Sequence, residues 1–114
     1  MAMGSKYGAH RVLEPKGLLP QAAQRIDNRM ELYDNEILID VSALNIDAAS
    51  FRQLWEAAEG DEGRLKEQIM AIVNERGKMQ NPVTGSGGML MGSVARVGEA
   101  LQDRDLHAGD RIAT

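Results

Sequence analysis

Residues 81–98 read NPVTGSGGMLMGSVARVG and combine a glycine cluster with an apolar alternating run. Four glycines fall within eight residues, at positions Gly85, Gly87, Gly88 and Gly92. Because glycine adopts backbone conformations that other residues avoid, the cluster predicts a sharp bend leading into a strand over residues 90–97. Gly92 lies inside that strand, and its position there indicates a site from which side-chain bulk is excluded.

A glycine cluster can also form a phosphate-binding loop, but the spacing here argues against one. A dinucleotide fingerprint requires its third glycine where Leu90 stands, and no Lys–Ser/Thr pair follows the cluster. The next element reads as a strand, so the helix N-terminus that holds phosphate in such sites is missing. We therefore interpret the cluster as a tight loop before a core strand.

Length and composition restrict the class of protein. The chain has 114 residues, enough for one domain or less, with 13 Lys plus Arg against 17 Asp plus Glu and a net charge of −4. No basic stripe is present, so nucleic acid is not expected as a partner. No cysteine occurs, and no apolar run is long enough to span a membrane. A cytoplasmic protein without a membrane partner is the default expectation.

Toward the N-terminus, residues 36–44 form the best strand pattern in the chain. Ile37, Ile39, Val41 and Ala43 alternate with mostly polar residues, so we expect their side chains to share one buried face. Asp34 and Asn35 mark a turn just before the strand. This turn predicts residues 29–33 as the antiparallel partner.

Between these two strands the apolar spacing changes to that of helices, at about residues 48–59 and 61–77. The first helix is capped by Asp47 or Ser50 and ends at Gly60. The second begins at Asp61 and ends at Gly77. The predicted buried faces are Phe51, Leu54, Trp55 and Ala58 in the first helix and Leu65, Ile69, Ile72 and Val73 in the second.

The chain ends carry weaker signals. We predict a short strand over residues 10–14, then an irregular connection to residue 28. His10 reads as a structural residue, because no second His or carboxylate is patterned with it. Residues 101–108 are polar and turn-like, which places His107 in a loop. Residues 111–114 read as the opening of another strand that stops before its end.

Three segments in order resemble the medium-chain dehydrogenase/reductase superfamily. They match its first long strand, the strand that follows its Gly-His-Glu motif, and its Gly-Asp-Arg-Val turn, at residues 36–45, 87–98 and 106–112. The resemblance implies an α+β, mainly β fold: a GroES-like, partly open β-barrel with an inserted pair of helices. The residue patterns support a strand-built domain with two helices, but not barrel closure.

A closer resemblance, over essentially the whole chain, is to the 3,5-diaminohexanoate dehydrogenases of lysine fermentation. It is carried by residues 6–12, 14–17, 33–41 and 80–90. It implies an NAD-dependent oxidoreductase that deaminates L-erythro-3,5-diaminohexanoate to 5-amino-3-oxohexanoate and releases ammonia. The implied partner is therefore a small diamino acid substrate, and the full-length enzyme is expected to be a homo-oligomer.

The departures from the superfamily concern metal. Zinc-dependent relatives place a Cys where this sequence has Asn45, and His-Glu where it has Gly88 and Met89. Because a catalytic zinc requires three thiolate, imidazole or carboxylate ligands, the resemblance points to a metal-independent member and away from a zinc-dependent alcohol dehydrogenase. Oxidation at an amine-bearing carbon can proceed without a Lewis acid, since the nitrogen lone pair stabilises the developing cation as an iminium.

The reaction requires a neutral amine, and therefore a proton acceptor. Asn45 and Asp47 follow the strand end that borders the active cleft in the relatives, so they can orient the substrate amine and offset its charge. Each also has a structural interpretation, Asp47 as a helix cap and Asn45 as a turn residue.

No glycine fingerprint opens a helix in this sequence, although the superfamily binds its cofactor mainly on a separate domain that carries one. We therefore expect residues 1–114 to be an N-terminal catalytic-domain fragment whose NAD-binding domain is absent. Such a fragment would neither bind NAD tightly nor turn over substrate alone. The alternative is a non-enzymatic GroES-like interaction module, which the incomplete last strand disfavours.

Overall fold

The computed structural model describes Met1–Thr114 and contains five strands and two helices. In chain order they are β1 Val12–Glu14, β2 Arg25–Ile26, β3 Ile37–Ile46, α1 Ala48–Ala57, α2 Glu62–Arg76, β4 Gly88–Val97 and β5 Arg111–Ala113. Single 3-10 turns cover Ala9–Arg11 and Glu99–Leu101. The fold is α+β and mainly β, as predicted. Neither helix is long and apolar enough to cross a membrane.

The glycine-led strand β4 is the centre of a three-stranded sheet with the order β3-β4-β5. β5 runs antiparallel to β4, with Ser93 opposite Arg111. β3 is also antiparallel to β4: the Gly98 N–H donates to the Glu36 carbonyl at 2.8 Å, and the Asp47 N–H donates to the Gly87 carbonyl at 2.9 Å. The predicted strand at residues 90–97 is therefore confirmed, and it begins two residues earlier than predicted.

Gly92 has the role that the sequence assigns to it. It is buried within β4, and a Cβ atom built on it would overlap the carbonyl oxygen of Asp40 and lie 3.0 Å from the Ile39 side chain. The close neighbour is the backbone of the adjacent strand, which cannot move without disturbing the ladder. Bulk is excluded at this position by the protein's own sheet.

The predicted partner strand at residues 29–33 is wrong, because that segment is a loop and β4 is the partner of β3. The guanidinium of Arg11 donates to the carbonyls of Arg29 and Glu31, at 3.2 and 2.7 Å. The Glu36 carboxylate accepts from the Tyr33 N–H at 2.8 Å. Side chains therefore bind the backbone groups that a strand ladder would require.

The N-terminal prediction is partly correct. β1 covers the second half of the predicted strand at residues 10–14, whereas its first residues lie in the 3-10 turn. That turn forms because Gly8 adopts a left-handed conformation (φ 76°) and the Ala9 N–H donates to the Ser5 hydroxyl at 2.7 Å. β1 pairs antiparallel with β2, whose two residues are too few to be recognised as a strand from sequence.

The chain forms two compact units, one of Met1–Leu44 with Leu90–Thr114 and the other of Asn45–Met89. In the first unit the fully or nearly buried apolar residues are Val12, Ala23, Leu32 and Val94. The predicted inward face of β3 is only partly correct. Ile37 and Ile39 are half-buried, but Val41 is 54 % exposed and Ala43 is exposed as well. The two sheets do not close into a barrel.

In the second unit, α1 and α2 pack around buried Leu54, Ala58 and Leu65, with Ile69, Ile72 and Met79 at the edge of this core. Both helices are slightly shorter than predicted. Asp61 caps α2, and Gly77 ends it in a left-handed conformation, as expected. The predicted buried stripe of α1 is wrong at Phe51 and Trp55. Their rings stack with centroids 5.9 Å apart and remain about 40 % exposed.

Candidate functional site

Asp47 joins β3 to α1 and is the N-cap of that helix. Its backbone is extended (φ −62°, ψ 156°), and its carboxylate Oδ1 accepts from the Ser50 N–H at 2.9 Å. This contact satisfies one of the free amides that open a helix, so the structural role predicted for Asp47 is confirmed.

Three hydroxyl groups lie next to this cap. The Ser50 hydroxyl is 2.8 Å from Thr84 Oγ1 and 3.0 Å from Ser86 Oγ, and the last two oxygens are 3.0 Å apart. Ser50 is fully buried. We call Asp47, Ser50, Thr84 and Ser86 the hydroxyl cluster. Sequence analysis did not predict it. Asp47 and Ser50 lie in one segment and Thr84 and Ser86 in another, and Ser50 is 34 and 36 residues away from Thr84 and Ser86.

Asn81 fixes the loop that supplies Thr84 and Ser86. It is 1 % exposed, and its side chain donates to Gln53 Oε1 at 2.8 Å and accepts from the Val83 N–H at 3.0 Å. Its backbone N–H donates to the Ser86 carbonyl at 2.8 Å, and its carbonyl accepts from the Gly85 N–H at 2.7 Å. Asn81 therefore holds the loop closed through both its side chain and its backbone.

The electrostatics of the hydroxyl cluster keep Asp47 charged. The Ser50 N–H is the largest cause that holds the pKa of the Asp47 carboxyl below its usual range. Desolvation opposes it, and the Ser86 and Ser50 hydroxyls make smaller lowering contributions. The Oδ2 atom is buried and has no donor in hydrogen-bonding geometry. A carboxylate in this state supplies a negative charge but is a weak proton acceptor at neutral pH.

Asn45 lies near the end of β3, two residues before Asp47. Its side chain is exposed and makes no hydrogen bond within the chain, so its amide oxygen is available to a donor from outside. Its carbonyl oxygen lies against Gly88, where a Cβ atom would overlap it. The structure thus brings both predicted site residues to one end of β3, in chemically different states: Asn45 open and Asp47 capped.

The glycine loop does not fit a nucleotide. In a phosphate cradle, glycines leave room for the ligand, but here the space beside Gly87 is filled by the Met79 carbonyl and the space beside Gly88 by the Asn45 carbonyl. The element that follows is β4 and not a helix, and the N-terminus of α1, which lies beside the loop, is already capped by the Asp47 carboxylate. No group of three or more His, Asp or Glu side chains converges where it could hold a metal ion.

The first unit contains a charged cluster that the sequence did not reveal, formed by His10, Arg11, Tyr33 and Glu36. The Arg11 guanidinium donates to both Glu36 oxygens at 2.7 Å, and His10 Nε2 lies 3.0 Å from Glu36 Oε2. The Tyr33 ring lies against His10 (4.3 Å) and Arg11 (4.8 Å). The residues 10 and 36 are too far apart in sequence for any spacing rule to pair them.

The contacts within this charged cluster indicate a structural role. The hydrogen bonds from Arg11 are the main cause that lowers the pKa of Glu36 to about 2, with further contributions from the Tyr33 N–H and His10. His10 Nδ1 accepts from the Ser5 N–H at 2.9 Å, so both ring nitrogens are engaged. Because the His10 ring nitrogens, the Arg11 guanidinium and the Glu36 carboxylate already have partners within the chain, we assign this cluster to stability, in agreement with the structural interpretation of His10.

Comparison with known proteins identifies what the chain resembles. A family described as L-erythro-3,5-diaminohexanoate dehydrogenase N-terminal domain matches residues 10–114. Two relatives named L-erythro-3,5-diaminohexanoate dehydrogenase are similar along the chain. The protein of Acetoanaerobium sticklandii is 59% identical over 112 residues (97% of this chain), and that of Fusobacterium nucleatum subsp. nucleatum is 60% identical over 115 residues (100%). The chain spans 33% of the length of each relative.

Proposed function

Since the chain belongs to the L-erythro-3,5-diaminohexanoate dehydrogenase N-terminal domain family, we propose that it is the substrate-side domain of an oxidoreductase acting on that diamino acid. The observation that carries the proposal is the identity of 59–60% along the chain to two dehydrogenases of this name. In the proposed reaction, substrate, NAD⁺ and water give 5-amino-3-oxohexanoate, NADH, ammonium and a proton. The substrate C3–H bond is broken as a hydride, and the C3–N bond is then hydrolysed.

We further propose that the domain is a GroES-like member of the medium-chain dehydrogenase superfamily, that it works without zinc, and that the full-length enzyme is an oligomer. The two small antiparallel sheets with an inserted helix pair are compatible with such a domain. The filled spaces beside Gly87 and Gly88 favour a nucleotide site outside these residues. NAD, when bound, accepts the hydride.

The contribution of this chain is the placement of the amine. An ammonium group next to β3 can donate to the free side-chain oxygen of Asn45, while the negative charge of Asp47 offsets the positive charge. Since the pKa of Asp47 is lowered, we assign it a charge-balancing role and not that of the base. The hydrogen bond from the Ser50 N–H keeps the carboxylate oriented.

A chimera tests the proposed function directly. The N-terminal third of the Fusobacterium nucleatum relative is replaced by this chain, and NADH formation is followed with L-erythro-3,5-diaminohexanoate. We expect turnover within about tenfold of the parent enzyme, equivalent to about 1.4 kcal/mol in the barrier. The parent enzyme without its N-terminal third is the control. A folded chimera with no turnover would refute the proposal and favour the non-enzymatic interaction module.

Substituting Asp47→Asn in the chimera isolates the charge. Asparagine caps helices about as well as aspartate, so the thermal midpoint is expected to change little. Loss of one opposing charge near an ammonium is expected to raise KM about tenfold and to make KM less sensitive to salt. The matched control is Asp61→Asn, the same change at the cap of α2, where the carboxylate also accepts a backbone N–H, from Arg64 at 3.0 Å. Equal KM values for the two variants would contradict the role of Asp47.

A further inference from the structure

A half-open pocket of about 550 Å³ lies on the β3-β4-β5 sheet, within the first unit. Ser42, Ser93 and Arg111 supply its polar groups, and Met91 and Ala113 supply apolar walls on the face of the sheet that carries Ser93 and Arg111. Ser93 and Arg111 stand opposite each other in the β4-β5 register, so the two side chains emerge from the same face of the sheet. The volume falls in the range of sites for small molecules.

The guanidinium of Arg111 has no ion-pair partner within the chain. Five of the eight other arginines form ion pairs: Arg11 with Glu36, Arg25 with Glu14, Arg29 with Asp27, Arg52 with Glu56 and Arg64 with Glu59. The Arg111 guanidinium has no carboxylate within 4.0 Å and makes no hydrogen bond within the chain. The carboxylate of the preceding residue, Asp110, instead accepts from the His107 N–H at 2.8 Å. The Ser93 hydroxyl is likewise without a partner. Two donors that face the same pocket are therefore available to a ligand.

We propose that this pocket is a binding site for a small aliphatic carboxylate. The fork of the Arg111 guanidinium matches the two oxygens of a carboxylate, and the Ser93 hydroxyl adds a third donor. The side chains of Met91 and Ala113, on the same face of the sheet, cover the short hydrocarbon chain. The assignment does not rest on the proposed function, because it uses residues outside the Asn45 and Asp47 site.

The surroundings favour a carboxylate over a phosphate. Phosphate sites commonly combine a helix N-terminus or several cations, whereas this pocket has one guanidinium, is built on strands and has a largely apolar lining. The Ser42 hydroxyl donates to the Met91 carbonyl at 3.0 Å, so its proton is not available to a further phosphate oxygen.

The test is a titration of the isotope-labelled chain with butanoate, followed by amide chemical shifts. We expect shifts that saturate and are centred on the amides of Gly92, Ser93 and Ile112. Arg111→Gln is expected to weaken binding about tenfold, since it removes a charge-assisted bidentate contact. Arg111→Lys keeps the charge but loses the fork, so its affinity for butanoate is expected to lie between those of the wild type and Arg111→Gln.

Arg96→Gln is the matched control, because Arg96 lies on the neighbouring strand β4 of the same sheet, is exposed and also has no ion pair, but does not line the pocket. The titration is repeated with butanamide, which lacks the carboxylate, and with inorganic phosphate. Unchanged affinity in Arg111→Gln, an equal loss in Arg96→Gln, or binding of phosphate as tight as that of butanoate would overturn the proposal. An inactive chimera with intact butanoate binding would refute only the proposed function, and an active chimera without butanoate binding would refute only this site.

Discussion

Replacing Arg11 by methionine is expected to lower the free energy of unfolding by about 3 to 5 kcal/mol at neutral pH, because it leaves Glu36 charged and without its main partner. The loss is large because one guanidinium donates to both Glu36 oxygens and to the carbonyls of Asp27, Arg29 and Glu31. The side chains of Arg11 and Glu36 are only 12% and 20% exposed, so water replaces these contacts poorly. Denaturant unfolding measures the difference.

The pH dependence identifies the cause. The folded-state pKa of Glu36 is about 2 against an ordinary value of 4.5, so its contribution is fully present above about 4.5 and is lost as pH falls toward 2. This contribution is on the order of 3 kcal/mol. The stability difference between wild type and Arg11→Met should therefore shrink on acidification through this window. A pH-independent difference would contradict the assignment.

Arg52→Met is the control for this substitution. Its i,i+4 pair with Glu56 is 82% and 68% exposed, and such pairs contribute little. We expect a change within about 0.5 kcal/mol. If Arg11→Met were no more destabilising than Arg52→Met, the charged cluster would not be a stabilising feature of the first unit.

Gly92→Ala is expected to destabilise the chain by about 3 kcal/mol or more, or to prevent folding, because the added methyl group overlaps the Asp40 carbonyl. Relief would require β3 and β4 to separate at the middle of their ladder. Thermal and denaturant unfolding measure the loss, and the amides of Asp40 and Gly92 should show the largest chemical-shift changes if the variant folds.

Gly63→Ala is the matched substitution. Gly63 lies in the first turn of α2, where the added methyl group meets only the end of the Asp61 side chain, at 3.2 Å. Alanine favours helix over glycine, so stability should hold or rise by up to about 1 kcal/mol. A similar loss in both variants would show that the loss reflects glycine replacement in general and not the close approach of β3 and β4.

What sequence could predict was local. The strand at residues 36–44, the helix spacing around Leu54 and Leu65, the caps Asp47, Asp61 and Gly77, and the close approach at Gly92 all depend on short-range patterns, and the structure confirms them. The alternation within that strand is confirmed only in part, because Val41 and Ala43 are exposed. Strand pairing was not predictable in the same way. The loop at residues 29–33 is held by Arg11, and no local signal marks a side chain that binds carbonyls 18 and 20 residues away.

The candidate site also combines features with local sequence signals and features that depend on long-range contacts. The positions of Asn45 and Asp47 at the end of β3 followed from strand and cap signals, whereas Thr84 and Ser86 join Ser50 only through the fold of the loop that Asn81 closes. Arg111 reads in sequence as an ordinary residue of a short strand. Its chemistry becomes visible only when the register places it opposite Ser93 with no carboxylate in reach.

Trp55, whose ring stacks on Phe51, and the two tyrosines allow the two units to be followed separately by fluorescence. Trp55 is the only tryptophan and lies in the unit of Asn45–Met89, while both tyrosines, Tyr7 and Tyr33, lie in the other. Tryptophan emission therefore follows the melting of the helical unit, and the tyrosine band follows the unit that contains Arg11 and Gly92. Recording both during one unfolding experiment shows whether the units melt together or one after the other.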